Sequence, residues 1–450
     1  ADVTVPAGLT AVMSAEGNGD APEVADGDRE TYSFSLDRPI PPYLIALAIG
    51  DLEFREIGPR TGVWAEPSVV EDAQDEFAEV EAMMESAEAL YGEYRWGRYD
   101  ILVLPPSFPF GGMENPLLTF ATPTILAGDR SLVSLVAHEL AHSWSGNLVT
   151  NATWDDFWLN EGFTSYFENR IMEEIKGEEY AQMLESLSRT GLDAELTELD
   201  EPDQHLRLAL DGRDPDDGMT SVAYDKGALF LRHIEEQAGR EAFDGWLRGY
   251  FDRHAFQPMT TERFLEDFDT HLIAGDSTLR AEIDPEAWIY GPGLPANAPS
   301  VTSEAFARAE AQAATFADED NPTPPDSLET DGWSTQEWLH FLGSMPDDLT
   351  TFQLSALDDA FGFNEIGNSE IRFAWLRLAI ARRHNPAVES LEEFLTSQGR
   401  RKFVLPLFRD LTATSWGRPI ADRIYRAARP GYHSITYRSV DEVMDAALDT

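Results

Sequence analysis

His138-Glu139-Leu140-Ala141-His142 is followed, with 18 residues between, by Glu161 in Asn160-Glu161-Gly162. The five-residue stretch falls within 132–144, whose apolar spacing predicts a helix. Two imidazoles four residues apart then share one face, roughly 5–6 Å apart at Cβ. Catalytic zinc takes three protein ligands and keeps a fourth position for water, and two histidines with one glutamate are a recognised set. Glu161 stands near the start of the next predicted helix, 157–175, closed by Gly177, and an antiparallel helix pair places it across from His138 and His142. HExxH alone occurs by chance, as a surface helix with two unrelated histidines; joined to NEG at this distance it is highly specific.

Glu139 lies one residue from a ligand and cannot share the ligand face, yet its carboxylate reaches the water that the metal activates. Zinc lowers the pKa of such water toward about 7, and a carboxylate base passes the proton on to a leaving amine. Glu168, two helical turns after Glu161, either orients a ligand imidazole or is a solvated carboxylate.

Upstream, residues 1–52 read as short strands and turns, with turn clusters at Gly17-Asn18-Gly19-Asp20 and Asp26-Gly27-Asp28. The run YLIALAIG at 43–50 is of strand length and reads as a buried strand, since a membrane-spanning helix needs roughly 20 apolar residues. Residues 67–94 carry apolar side chains three or four apart and predict an amphipathic helix with an acidic solvated face. Extended segments at 101–104 and 117–122 flank the loop Phe108-Pro109-Phe110-Gly111-Gly112-Met113-Glu114-Asn115. Downstream, a helix-rich stretch runs to about Tyr290, and the Gly/Pro-rich segment 291–299 cannot propagate a helix and reads as a linker. Beyond it, 303–316, 370–382 and 387–397 are amphipathic with no strand signal, which suggests a coil of stacked helix pairs.

The 42% apolar content fills two or three domains, and the absence of cysteine leaves a metal site only His and carboxylate ligands. With 33 basic against 82 acidic residues, binding to nucleic acid or an anionic membrane is disfavoured. A halophilic or marine source and an ordinary acidic bacterial enzyme both suit such a surface. The start, ADVTVPAGL, has no initiator Met and no basic or apolar leader pattern, as expected after signal removal or cutting. The compartment stays open: bacterial cytoplasm, periplasm or secreted. Only Lys176, Lys226 and Lys402 are lysines, so each invites a specific explanation.

GGMENP at 111–116, LTFATPTILAGDRSL at 118–132, WSGNLVTNATWDDFWLNEGFTSYFE at 144–168, AYDKG at 223–227, WIYGPGLP at 288–295 and GRRKFVLPLFRDL at 399–411 surround the metal motif in this order. Through them the chain resembles the gluzincin zinc aminopeptidases, in the leukotriene-A(4) hydrolase and aminopeptidase B branch, over nearly its whole length. The resemblance implies an α+β, mostly helical fold: a thermolysin-like zinc catalytic domain, then an all-α superhelical C-terminal domain of HEAT/armadillo type, preceded by a short β remnant of a saddle-like N-terminal domain. The expected boundaries are 1–52 for the partial β domain, 53–290 for the catalytic domain, 291–302 for a linker and 303–450 for the helical domain. One zinc ion per chain is expected, and short peptides with a free N-terminus as substrates.

By the same resemblance Glu114 binds the substrate's α-amine, beside Met113, and the absence of side chains at Gly111 and Gly112 lets the backbone approach the substrate. Tyr224 matches the tyrosine that hydrogen-bonds the oxyanion, although alone it would read as a core aromatic. Arg400 and Lys402 match a pair that holds the substrate's C-terminal carboxylate; a basic cluster at a helix end is the alternative. Lys226 reads as structural. Met219 stands where the epoxide hydrolase has a tyrosine, with Asp216 at a nearby aspartate, which weakens epoxide hydrolysis as a second reading. A catalytically silent scaffold is the third.

Overall fold

Backbone alternation and helix caps organise the chain, seen here in a computed structural model that describes residues 1–17, 23–24, 28–318 and 320–448. Most of the two turn clusters expected at 17–20 and 26–28 lies outside the described residues. Two compact units are present. The first comprises Ala1–Leu102, Glu114–Thr119 and Ser134–Thr302; the second comprises Val103–Met113, Phe120–Val133 and Ser303–Thr450.

In the first unit, strand Asp2–Pro6 pairs antiparallel with Arg29–Ser35, Asp2 opposite Ser33, over a small core of Val5, Ala11, Tyr32 and Phe34. Strand Thr10–Met13 pairs with Leu47–Gly50. The expectation of a buried strand over 43–50 is corrected here: the strand begins at Leu47, and Ile45, Leu47 and Ile49 are 61%, 47% and 48% exposed. It belongs to a two-stranded sheet, so one face of it stays open. A continuous apolar run reads the same whether one or both faces are covered. Further on, Glu53–Gly58 and Thr61–Ala65 form an antiparallel pair with a bulge at Glu56/Gly58, and Thr61–Ala65 runs parallel to Tyr99–Val103. The single helix expected over 67–94 is two helices, Val70–Glu76 and Val80–Tyr91.

Helix Trp158–Lys176 is the centre of this unit. Its Trp158, Phe163, Phe167 and Ile171 are buried in an aromatic core with Phe230, Tyr250, Phe251 and Phe264. Each such side chain contributes roughly 1.5–3 kcal/mol by leaving water. Helices Ser134–Ala141 and Gly227–Ala238 pack against it. The second of these contacts is a backbone crossing: a Cβ placed on Gly162 would lie 2.8 Å from the Cα of Gly227. Gly177, at φ 93°, ends the helix in a conformation that side-chain-bearing residues avoid.

The second unit is helical beyond residue 303, with no strand there among the described residues. Helices Glu304–Ala317, Thr335–Gly343, Thr351–Phe361, Ser369–Ala381, Val388–Ser397, Arg401–Thr412, Arg418–Ala428 and Ser434–Leu448 follow one another. Ser334 with Glu337 and Thr350 with Gln353 form capping boxes, and Ser303 and Asn368 cap their helices by accepting main-chain N–H groups. Helices Thr335–Gly343, Ser369–Ala381, Arg401–Thr412 and Ser434–Leu448 touch in series, as do Val388–Ser397 and Arg418–Ala428, which gives the two-layered coil of alternate helices. Phe341, Trp375, Leu376, Leu395, Phe403, Leu407, Phe408 and Leu411 fill its core.

Candidate metal centre and substrate site

His138 lies on helix Ser134–Ala141, and His142 continues that spiral, its main-chain N–H donating to the carbonyl of His138 at 3.2 Å. Glu161 sits in the first turn of helix Trp158–Lys176. The two helices bring Glu161 Oε2 to 3.3 Å from His138 Nε2 and 3.4 Å from His142 Nε2, with the imidazole rings 5.0 Å apart and nearly perpendicular. Nitrogen and oxygen ligands placed tetrahedrally at 2.0–2.1 Å from zinc are ~3.3 Å apart, so the set has the spacing of three corners of such a site.

The other ring nitrogens are tied back. His138 Nδ1 lies 3.1 Å from Glu168 Oε2. His142 Nδ1 lies 2.9 Å from the carbonyl of Ser145 and 3.1 Å from Thr164 Oγ1. A carbonyl only accepts, so this nitrogen carries the proton and leaves the Nε2 lone pair directed at Glu161. Gly146, at φ 111°, is required beside it: a Cβ there would lie 2.9 Å from His142 Nδ1.

The electrostatics fit a divalent cation at this point. Glu161 Oε2 is buried and receives no hydrogen bond. Burial raises the Glu161 carboxyl, but His142 and His138 outweigh it and hold the group down at about 2. Burial opposes the charged imidazole of His142, yet Glu161 and Glu114 pull it up to about 9. Protonated imidazoles would substitute for the positive charge that a divalent ion brings; the donor set of two neutral nitrogens and one carboxylate fits zinc.

Glu139 is buried on the same helix, and burial pushes its carboxyl up to about 7 against the pull of His138 and His142. Ligand atoms of Glu114, Glu139 and His142 lie within 4.8 Å of one another. The main-chain oxygen of Glu114 accepts a hydrogen bond from Asn147 Nδ2 at 2.8 Å, and burial raises the Glu114 carboxyl. Tyr224 stands on a π-helical turn, Val222–Lys226, a form frequent at functional sites. Its ring lies nearly parallel to that of His138, 6.1 Å away, and edge-on to Phe157 at 5.9 Å. Asp216 is on the short turn Pro215–Gly218, and Met219 after it is 49% exposed and offers a thioether in place of a hydroxyl.

The remaining candidates belong to the second unit. Gly112 and Met113 pair with Ala121 and Phe120, and the carbonyl of Gly111 accepts the N–H of Thr122 at 2.9 Å. Arg400 and Lys402 stand at the start of helix Arg401–Thr412, where the helix dipole offers cations nothing. Their partner is Glu370, 3.6 Å from Arg400 Nη1 and 2.6 Å from Lys402 Nζ; Arg400 also donates to Thr124 Oγ1 at 3.2 Å.

Further residues close to the centre carry no sequence motif of their own. The hydroxyl of Tyr43 accepts from Asn160 Nδ2 at 3.4 Å, and burial, with Glu114 and Glu161, raises its pKa. Its ring meets Trp154 edge-on at 5.5 Å. Nothing local marks a residue 117 positions from its partner. Gly146 and Thr164 lie inside the quoted 144–168 stretch, so their proximity to the ligands was available as a signal.

A family model for the peptidase family M1 domain matches residues 76–281, and one for the C-terminal part of leukotriene A4 hydrolase matches 333–444. The chain is 39% identical to leukotriene A-4 hydrolase of Xenopus laevis over 432 residues, covering 91% of this chain and 68% of that protein. It is 36% identical to aminopeptidase B of Rattus norvegicus over 465 residues, covering 98% and 69%. The solved structure of yeast leukotriene A4 hydrolase superposes with a TM-score of 0.90 at 32% identity, covering 98% of this chain and 73% of that one. With this likeness, and with the HExxH-x18-NEG ligands converging as they do, the chain belongs to the M1 family of zinc aminopeptidases, in the branch of leukotriene A4 hydrolase and aminopeptidase B.

Proposed function

We propose that this chain removes the N-terminal residue from short peptides with an unblocked N-terminus, with one zinc ion held by His138, His142 and Glu161. The observation that carries the reading is the placement of Glu114 and Glu139 within 4.8 Å of each other and of His142, beside the third ligand. Zinc bound there supplies Lewis acidity, polarising the scissile carbonyl and making water nucleophilic near neutral pH.

Glu139, its carboxyl held at about 7 by burial, takes the proton of the attacking water and returns it to the leaving amine. Glu114 pairs with the substrate's ammonium, which selects free N-termini and rejects internal bonds. Tyr224 donates its hydroxyl to the developing oxyanion. Glu168 fixes the His138 ring through Nδ1. Gly111, Gly112 and Met113 admit the substrate backbone, and Arg400 and Lys402 receive the C-terminal carboxylate of a short peptide; these roles rest on the motif resemblance. The same reading keeps 1–52, 53–290, 291–302 and 303–450 as partial β domain, catalytic domain, linker and helical domain. No described helix is long and apolar enough to cross a membrane.

Rates on a panel of aminoacyl-nitroanilides, free and N-acetylated, combined with metal analysis, test the proposal. Turnover restricted to free amines, with zinc present, is the expected result. Equal or faster cleavage of acetylated substrates would remove Glu114 from its role.

A further inference from the structure

Of the three lysines, Lys176 and Lys402 each pair with a carboxylate, those of Glu79 and Glu370. Lys226 does not. It is 0% exposed, and its Nζ donates to two main-chain oxygens, those of Gln204 at 2.8 Å and Gly291 at 2.7 Å. Among the described residues no carboxylate forms an ion pair with it, and burial alone brings its ammonium down to about 7. Enclosing a cation against nothing but backbone dipoles is costly to folding, so a methionine of similar length would be the less costly occupant.

What the ammonium does that a methyl group could not is fasten three segments together. Gln204 ends the turn Glu201–Gln204, Gly291 follows helix Pro285–Tyr290, and Lys226 itself closes the π-helical turn Val222–Lys226 that carries Tyr224. A second constraint acts on the same turn. Gly162, next to the ligand Glu161, crosses Gly227 so closely that a Cβ on Gly162 would lie 2.8 Å from Gly227 Cα and 3.1 Å from the carbonyl of Ala223. The turn is thus pinned to the ligand helix at Ala223 and Gly227 and to two loops at Lys226, with Tyr224 between Ala223 and Lys226.

The geometry points to Lys226 as a positioning residue for Tyr224: its two hydrogen bonds to Gln204 and Gly291 hold the π-turn so that the tyrosine hydroxyl is in place when negative charge develops on the substrate carbonyl oxygen. The inference rests on the reading of Tyr224 as the oxyanion donor. A contact made only in the transition state affects kcat and leaves substrate binding alone.

The test compares the zinc-loaded chain with Lys226→Met, Tyr224→Phe and the double variant, on one aminoacyl-nitroanilide. Tyr224→Phe is expected to lower kcat on the order of 10²–10³-fold with KM little changed. Lys226→Met is expected to lower kcat about tenfold with KM and zinc content unchanged, since small misplacements of a catalytic group are costly. The double variant is then no slower than Tyr224→Phe. A Lys226→Met loss that persists in full on the Tyr224→Phe background, that appears in KM instead of kcat, or that is absent overturns the inference alone; an unimpaired Tyr224→Phe overturns the oxyanion role and the inference with it. Gly227→Ala, whose Cβ would meet Gly162 Cα at 2.7 Å, displaces the same turn and carries the same comparison if Lys226→Met does not fold.

Discussion

In the first unit three carboxylates, Glu114, Glu139 and Glu161, are enclosed with two imidazoles, whereas in the second unit the partly buried carboxylate of Glu370 is met by Arg400 and Lys402. Burial raises the carboxyls of both clusters, and the clusters differ in the positive charge that answers it. Burial raises Glu370, but Lys402 and Arg400 outweigh it and leave the group below its ordinary range. Glu139 and Glu114 are raised, and the imidazoles can answer them only by holding protons. The second cluster neutralises itself; the first is balanced by a cation from outside. Uncompensated burial is costly to folding and marks the place where the chain does chemistry.

The contrast breaks hardest at Glu139. Glu139→Gln is expected to lower kcat on the order of 10²–10⁴-fold while zinc content and melting temperature hold, because an amide removes a charge the site does not need for folding. Kinetics with metal analysis on one preparation check this, and undiminished turnover would overturn the mechanism. The converse case is Phe408→Ala, fully buried in the second unit and edge-on to Tyr425 at 5.2 Å. It is expected to cost about 3–5 kcal/mol of stability in denaturant titrations while zinc content is kept. Between these lies Glu168→Ala, which frees the His138 ring; zinc affinity, measured by competition with a chelator, should weaken roughly 10–100-fold.

The smallest expected effect is a pH dependence in the second unit. His384 is 1% exposed, and burial lowers its pKa. Below about 6.5 the unfolded chain binds a proton that the folded one resists, so this histidine takes away stability as pH falls. Denaturation midpoints at pH 7.5 and pH 5 should differ less in His384→Leu than in the parent chain; an equal difference would clear His384 of the effect.

Much of the metal centre was legible because helical geometry makes it local. The i, i+4 spacing of His138 and His142 and the cap-to-cap length of the next helix follow from short-range rules, and the C-terminal helices were visible through their caps and apolar periodicity. The outward face of 45–49 was not, since an apolar run does not say how many neighbours cover it. Nor was the contact of Glu168 with His138, which depends on how two helices rotate against each other.

Sequence by itself determined the HExxH-x18-NEG pattern with its candidate ligands and base, the helix-rich architecture and the acidic composition, all of which depend on residue type and near-neighbour spacing. Tertiary structure alone decided that Tyr43 lies beside Asn160, that Tyr224 stands on a π-turn, that two glycines 65 positions apart touch, and that Lys226 holds Gln204 and Gly291. Those contacts join segments distant in sequence, and packing selects among many ways of bringing them together.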